Sequence, residues 1–200
     1  IILGGEHLKP YIRLLRPKHA LKNLLIFLPL VFGGALFDAP VLQSAVCGFV
    51  AFCCLASVVY IINDICDAPR DRLHPTKKSR PIASGAVSPM QAAAEAAVLL
   101  AVMLLLSFWC NFPLESYLCL AIYFAVNIGY SLGLKNVPIL DIALLVSGFL
   151  LRVLFGAAVT GIAISDWLYL TVIAMSFYLG LGKRRGELAR QKGDTRKVLK

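Results

Sequence analysis

The chain has 200 residues, 59% of them hydrophobic and only 16% charged, with a formal net charge of +9 and a mean hydropathy of +0.78. Its apolar residues come in blocks rather than at amphipathic spacing, which excludes an ordinary soluble globular domain. The basic clusters behind the net charge alternate with those blocks, which weighs against nucleic-acid binding.

In chain order, apolar runs of roughly the length a bilayer core demands fall at about 22–37, 41–63, 90–110, 116–134, 139–161 and 166–182. They predict an all-α fold, a polytopic transmembrane bundle with six visible spans. Before the first run lie Lys9, Arg13, Arg16, Lys18 and Lys22. After the second come Arg70, Arg72, Lys77, Lys78 and Arg80, and the tail adds Lys183, Arg184, Arg185, Arg190, Lys192, Arg196, Lys197 and Lys200. With Lys135, these are 19 of the 20 Lys and Arg, and alternation of the spans puts them all on one side. The opposite connections hold Asp38, Glu115 and Asp166 and no Lys or Arg. The positive-inside rule then places both visible termini and the loop after the second run in the cytoplasm.

The most informative segment closes the second run: Asn63-Asp64-Ile65-Cys66-Asp67-Ala68-Pro69-Arg70-Asp71-Arg72. An Asp at the centre of a membrane helix costs roughly 3 kcal/mol, so acids this dense at a boundary call for water or a cation. At 100° per residue, Asn63, Asp67, Asp71 and Asp64 fall at about 0°, 40°, 80° and 100° on a helix, with Tyr60 one turn earlier on the adjoining flank. One face would thus carry four oxygen-bearing side chains. Mg²⁺ is usually held by one or two carboxylates plus substrate phosphates, so such a comb suits a diphosphate gripped through Mg²⁺. Pro69 predicts a bend between Asp67 and Asp71. The next residues, His74-Pro75-Thr76-Lys77-Lys78-Ser79-Arg80-Pro81, read as an extended, Pro-bounded loop that brings phosphate-binding cations back over the acids. The plainer reading is that the acids balance the loop cations as solvated salt bridges, which contribute little.

Farther along, Arg152 is the only basic residue well inside a run, and Asp141, Leu145, Gly148 and Arg152 recur at helical spacing on one face. An intramembrane Arg faces a cavity or a partner as a rule. Gly148 and Gly156 beside it would admit a ligand or another helix equally well. Near the cytoplasmic ends, residues Tyr130 to Lys135 and Gly182-Lys183-Arg184-Arg185-Gly186-Glu187 fit either phosphate binding or simple anchoring. Cys47, Cys53, Cys54, Cys110 and Cys119 fall in or beside runs and Cys66 on the reducing side, so all six read as small packers, not disulfides. The chain opens on Ile1 and stops inside a charged segment, as a piece of a longer protein would.

Asn63-Asp64-x-x-Asp67-x-x-x-Asp71-Arg72 and the loop through Arg80-Pro81-Ile82-Ala83-Ser84-Gly85 resemble the first Asp-rich motif of the UbiA-type membrane prenyltransferase superfamily. Within it, Leu15-Arg16-Pro17-Lys18-His19-Ala20-Leu21-Lys22-Asn23, Tyr130-Ser131-Leu132-Gly133-Leu134-Lys135, Arg152 and Gly182-Lys183-Arg184 with Glu187 resemble the decaprenyl-phosphate phosphoribosyltransferases of the bacterial envelope pathway. The resemblance implies nine helices around a central cavity open to the cytoplasmic side. Residues 1–200 would then be one domain lacking its C-terminal helices, in the bacterial inner membrane. Aromatic prenyltransferases of the superfamily carry a second Asp-rich motif after the sixth helix, where this chain offers only Glu187 and Asp194 among cations.

The implied reaction is Mg²⁺-dependent transfer of a 5-phosphoribosyl group from 5-phosphoribosyl 1-diphosphate to a polyprenyl phosphate. Asn63 and Asp67 would be the leading metal ligands, with Asp64 and Asp71 holding waters or orienting the ribose. Lys77, Arg80, Lys135 and Arg152 would bind donor phosphates, with Tyr60 and Tyr130 beside them. Lys22, Lys183 and Arg184 would take either the donor or the lipid phosphate. Two alternatives stand: an aromatic-acceptor prenyltransferase using a polyprenyl diphosphate, and a membrane transporter. The apolar helix surfaces are compatible with a homo-oligomer.

Overall fold

The computed structural model describes residues 4–132 and 138–198, without the side chains of residues 4–7, 132, 138–141, 183, 184 and 187–198. The described residues form helices and connecting turns and no strand. Helices α1 (Gly4–Leu14) and α2 (Pro17–Ala20) lead into a 3₁₀ segment, Leu21–Phe27, and a short α3 (Leu28–Phe32). The long α4 (Ala39–Leu73) follows, then a 3₁₀ turn at Lys77–Ser79 and α5 (Pro89–Trp109). The remainder is α6 (Leu114–Leu132), α7 (Pro138–Thr160) and α8 (Asp166–Val198).

Local chemistry sets the helix starts. Asp38 caps α4, its carboxylate accepting from the Val41 N–H, with Pro40 in the first turn where a missing N–H costs nothing. Ser88 opens α5 with a reciprocal capping box to Gln91 and Pro89 at the first position. Helix α4 has 35 residues, so at 1.5 Å per residue it is about 52 Å long, well beyond a hydrocarbon core of about 30 Å. It therefore crosses the bilayer and carries its C-terminal turns, with the Asp-rich motif, out at one end. The predicted bend at Pro69 does not interrupt it: the helix runs through to Leu73.

Three described helices are long and apolar enough to cross a membrane: Ala39–Leu73, Pro89–Trp109 and Ile142–Thr160. Helix α6 has 19 residues and the apolar part of α8 spans Asp166–Gly182. The run at 22–37 is not one regular α-helix, which corrects the sequence reading, although it still runs along α7 through the bundle: Asn23 meets Arg152, Ile26 meets Gly156 and Gly33 meets Ile162. It winds as a 3₁₀ segment and the five-residue α3, with Pro29 near the α3 start. Helix α7 presses against it: a Cβ at Gly156 would collide with the Ile26 carbonyl, so Gly156 serves close packing.

The main core lies among α4, α5, α6 and α7, around Phe52, Leu55, Met103, Leu120, Tyr123, Leu151 and Phe155. A second cluster packs Leu14 of α1 against Val58 and Ile61 of α4 and Ala92 and Ala96 of α5. The outward faces are apolar too, with Val98, Leu105, Phe108 and Trp109 of α5 exposed, as expected of surfaces that meet lipid.

Candidate active site

Between the C-terminal halves of α4 and α6, the middle of α7, and the segment from α2 into the 3₁₀ turn lies a cavity of about 470 Å³. Its α4 wall shows Tyr60, Asn63 and Asp67, at intervals of three and four residues, which is one helical face. Helix α6 contributes Tyr123, Asn127, Tyr130 and Ser131; α7 contributes Leu145, Gly148, Phe149 and Arg152. The mouth is lined by Arg16, His19 and Lys22 from the N-terminal segment and by Lys77 and Arg80 from the basic loop.

Eight residues expected from the sequence thus share one cavity: Lys22, Tyr60, Asn63, Asp67, Lys77, Arg80, Tyr130 and Arg152. Asp64 and Asp71 do not line it. Each is only 3% exposed. Asp64 accepts from Arg16 at 2.5 Å and from Arg80 at 3.0 Å, and Asp71 accepts from the same Arg80 nitrogen at 2.7 Å. The four-residue comb is therefore two pairs, one turned to the cavity and one turned to guanidinium groups. Lys135 and the side chains of Asp141, Lys183 and Arg184 lie outside the described residues.

Within the cavity-facing pair, the Asn63 amide donates to an Asp67 oxygen at 3.1 Å. Among the described residues, no three His, Cys, Asp or Glu cluster to hold a metal by protein ligands alone. A single carboxylate with a neighbouring amide oxygen suits Mg²⁺, which keeps waters and completes its shell with substrate phosphates.

Arg152 forms the floor. It is 5% exposed and its contacts among the described residues are neutral: Nε donates to Asn23 Oδ1 at 2.8 Å, and the terminal nitrogens donate to the Gly148 carbonyl at 2.5 Å and the Tyr123 hydroxyl at 3.2 Å. The guanidinium carbon lies 5.1 Å from the ring centroids of both Phe52 and Tyr123. A Cβ at Gly148 would lie 3.5 Å from the guanidinium, in ordinary van der Waals contact. Asn23 is held in turn by donating to Cys53 Sγ at 3.0 Å.

The loop over the mouth is organised by His74, whose Nδ1 accepts from the Thr76 and Lys77 N–H groups. At the other side, Arg16 stacks over Tyr60, 4.9 Å from its centroid, and His19 meets the same ring edge-on at 5.2 Å. Burial, then the charges of Arg16 and Lys22, hold the His19 pKa below the usual imidazole value. The described lining thus carries five Lys or Arg against one Asp, a field that draws in anions.

Sequence reasoning did not assign site roles to Arg16, His19, Asn23, Tyr123, Asn127 or Phe149. The first three stand in the Leu15–Asn23 stretch that carried the resemblance, and Tyr123 and Asn127 share a helical face with Tyr130, a spacing that could have found them.

The sequence pattern of the UbiA prenyltransferase family matches residues 25–198. The chain belongs to that family. Over 179 residues it is 38% identical to the decaprenyl-phosphate phosphoribosyltransferase of Corynebacterium glutamicum, covering 88% of this chain and 54% of that one. The Mycolicibacterium smegmatis protein of the same name is 39% identical over 181 residues, covering 88% and 56%. This UbiA chain thus spans little more than half the length of these relatives. Among solved structures, a UbiA homologue from Archaeoglobus fulgidus bound to DMAPP and Mg²⁺ matches with a TM-score of 0.69 at 23% identity, over 84% of this chain and 60% of that one. A digeranylgeranylglyceryl phosphate synthase matches with 0.72 at 20% identity, over 96% and 66%. Both likenesses show the fold: a UbiA-type bundle of membrane helices.

Proposed function

We propose that the protein to which this UbiA domain belongs transfers a 5-phosphoribosyl group from 5-phosphoribosyl 1-diphosphate to a polyprenyl phosphate, decaprenyl phosphate in the first instance. The observation that carries this reading is the cavity's charge: five Lys or Arg against Asp67 alone among the described lining residues. A donor with a diphosphate and a separate 5-phosphate needs two anion sites, and the mouth cations and Arg152 provide them at opposite ends. The relatives named decaprenyl-phosphate phosphoribosyltransferase support the same donor and acceptor. A prenyl diphosphate donor is less suited, because the stretch after residue 182 has only Glu187 and Asp194 where a second acidic comb would stand.

In this reaction an oxygen of the acceptor phosphate forms a bond to the anomeric carbon, and the bond from that carbon to the diphosphate breaks with its electron pair leaving on diphosphate. The acceptor phosphate is already ionised, so no general base is needed. Asn63 and Asp67 would hold Mg²⁺, which supplies charge neutralisation for the diphosphate. Arg152 would fix one phosphate at the floor, and Lys77, Arg80 and Lys135 would receive donor phosphates at the mouth. Lys22, Lys183 and Arg184 would meet the donor or the lipid phosphate, with the prenyl tail leaving between apolar helices. Positioning and electrostatic stabilisation then supply the rate. The cations gathered on one side support a multi-pass protein of the bacterial inner membrane, its cavity and both ends of this chain facing the cytoplasm.

The test is a membrane assay of the full-length protein with radiolabelled 5-phosphoribosyl 1-diphosphate and decaprenyl phosphate, with and without Mg²⁺, beside Asp67→Ala. Label should enter the lipid phase only with metal and intact Asp67. Consumption of a prenyl diphosphate with an aromatic acceptor, and no labelled lipid, would replace this reading with prenyl transfer.

A further inference from the structure

The four oxygen-bearing residues of the motif separate into two pairs, and the buried pair, Asp64 and Asp71, has a geometry that a metal ligand would not need. Asp64 is bonded by Arg16, which comes from 48 residues earlier, and by Arg80, from 16 residues later. Asp71 adds a second bond to the nitrogen through which Arg80 reaches Asp64. Both arginines line the cavity, while both carboxylates sit behind them. Among the described residues, Arg16 uses one terminal nitrogen and Arg80 one, so the other N–H groups of each fork remain for a ligand.

Arg16 also carries backbone strain. Its φ of 49° and ψ of 58° put a long side chain in the left-handed region, immediately before Pro17. Such a conformation is unfavourable for a residue with a side chain and persists where surrounding contacts over-determine it. Those contacts are the Asp64 carboxylate and the Tyr60 ring, 4.9 Å from the guanidinium. The strained turn thus serves to deliver a guanidinium to the cavity mouth.

We propose that Asp64, seconded by Asp71, is a positioning residue: it latches Arg16 of the N-terminal segment to Arg80 of the basic loop, forming a two-guanidinium clamp for the donor's diphosphate. This deepens the proposed function and rests on it. Planar forks suit the bidentate recognition of phosphate oxygens, and a clamp whose members come from three separated segments is assembled only when those segments are docked. Asp64 in this role does not ligate the metal, in contrast to Asp67.

The test uses full-length protein and inorganic diphosphate in EDTA, measured calorimetrically, for wild type, Asp64→Asn, Arg16→Ala and the double variant, with melting temperatures taken alongside. Loss of the latch should weaken metal-free diphosphate binding about tenfold in each single variant, with the double variant no weaker than either, because one contact acts through the other. Equal or tighter metal-free binding in Asp64→Asn is what removal of a nearby negative charge from a metal ligand would give, and it would overturn the proposal. Should Asp64→Asn fail to fold, wild-type-like binding by Arg16→Ala overturns it as well. In the transfer assay, Asp64→Asn should raise the donor KM and leave the Mg²⁺ half-saturation within twofold, whereas Asp67→Asn should shift the latter. A matching Mg²⁺ shift in both would make Asp64 a ligand. If wild type binds diphosphate through a coupled clamp but transfers no phosphoribosyl group, the functional reading fails and the clamp stands.

Discussion

The mouth and the floor of the cavity both present arginine, but their charge balance is opposite. At the mouth, Arg16 and Arg80 rest on Asp64 and Asp71, two carboxylates to two guanidiniums. At the floor, the described residues around Arg152 offer an amide, a carbonyl, a phenol and two aromatic faces. A neutral cluster needs no ligand to be stable, whereas a buried cation surrounded by dipoles keeps a demand for an anion. The Arg16–Arg80 cluster of the mouth is therefore built for geometry, and the floor for charge.

The sharpest way to break that contrast is to remove the floor's charge. Arg152→Met, close in length and apolar, should lower kcat/KM for phosphoribosyl transfer on the order of 10²-fold, about 3 kcal/mol, since charge-assisted bonds of about 1.5–3 kcal/mol are lost. Its melting temperature in detergent should change less than its activity, because removing a buried cation offsets the loss of donors to Asn23 Oδ1, the Gly148 carbonyl and the Tyr123 hydroxyl. A melting point that falls with activity kept would mean that Arg152 is structural.

The same change at the mouth should act on stability first. Arg80→Met leaves Asp71 and part of Asp64 without a counter-charge at 3% exposure. Arg80 itself is 26% exposed in its side chain, so water softens the penalty to about 2 kcal/mol. A drop in melting temperature is expected, and adding Asp71→Asn should recover part of it. No recovery would show that the Arg80–Asp71 pair does not hold the loop.

What the sequence could and could not convey follows the same division. The runs that became α4, α5 and α7 were legible because an unbroken apolar block has few other solutions in a bilayer. The run at 22–37 was legible as apolar but not as a 3₁₀ segment and a short helix, because hydropathy cannot see that buried Asn23 is tied to Arg152, 129 residues away, or that Gly156 brings α7 onto the Ile26 backbone. Likewise, helical periodicity put Asn63, Asp64, Asp67 and Asp71 within about 100° of one another. It could not assign Asp64 to Arg16, because that partner arrives through tertiary docking. The cavity-facing residues Tyr60, Asn63 and Asp67 were readable, since local spacing alone aligns them.

A finer probe of the floor is the Tyr123 hydroxyl, which accepts from Arg152 at 3.2 Å while the ring lies 5.1 Å from the guanidinium. Tyr123→Phe removes the acceptor and keeps the ring. The expected loss in kcat/KM is about 1 kcal/mol, roughly fivefold, with little change in melting temperature. Tyr123→Leu, which also removes the aromatic face, should cost more. Equal losses in the two variants would show that the ring contributes nothing to holding the cation.

The smallest effect concerns His19, which feels the charges of Arg16 and Lys22 and meets the Tyr60 ring. Partial burial and the charges of Arg16 and Lys22 lower its pKa from 6.5, so in the unliganded protein it is neutral at pH 7. Protonation is thus disfavoured by the fold: the stability gained from neutral His19 is present above its unfolded pKa and lost as pH falls through the lower folded value. An anionic ligand at the mouth offsets the same cations and raises the His19 pKa. Binding then takes up a fraction of a proton, and affinity weakens as pH rises through the liganded pKa. Diphosphate titrates in this region as well, so the measurement is a difference: calorimetry in two buffers of unlike ionisation enthalpy, wild type against His19→Asn. Wild type should take up more protons near pH 6.5 than the variant. Equal uptake would place the ligand's charge out of reach of His19, deeper toward Arg152, and shift the weight of anion binding from the mouth to the floor.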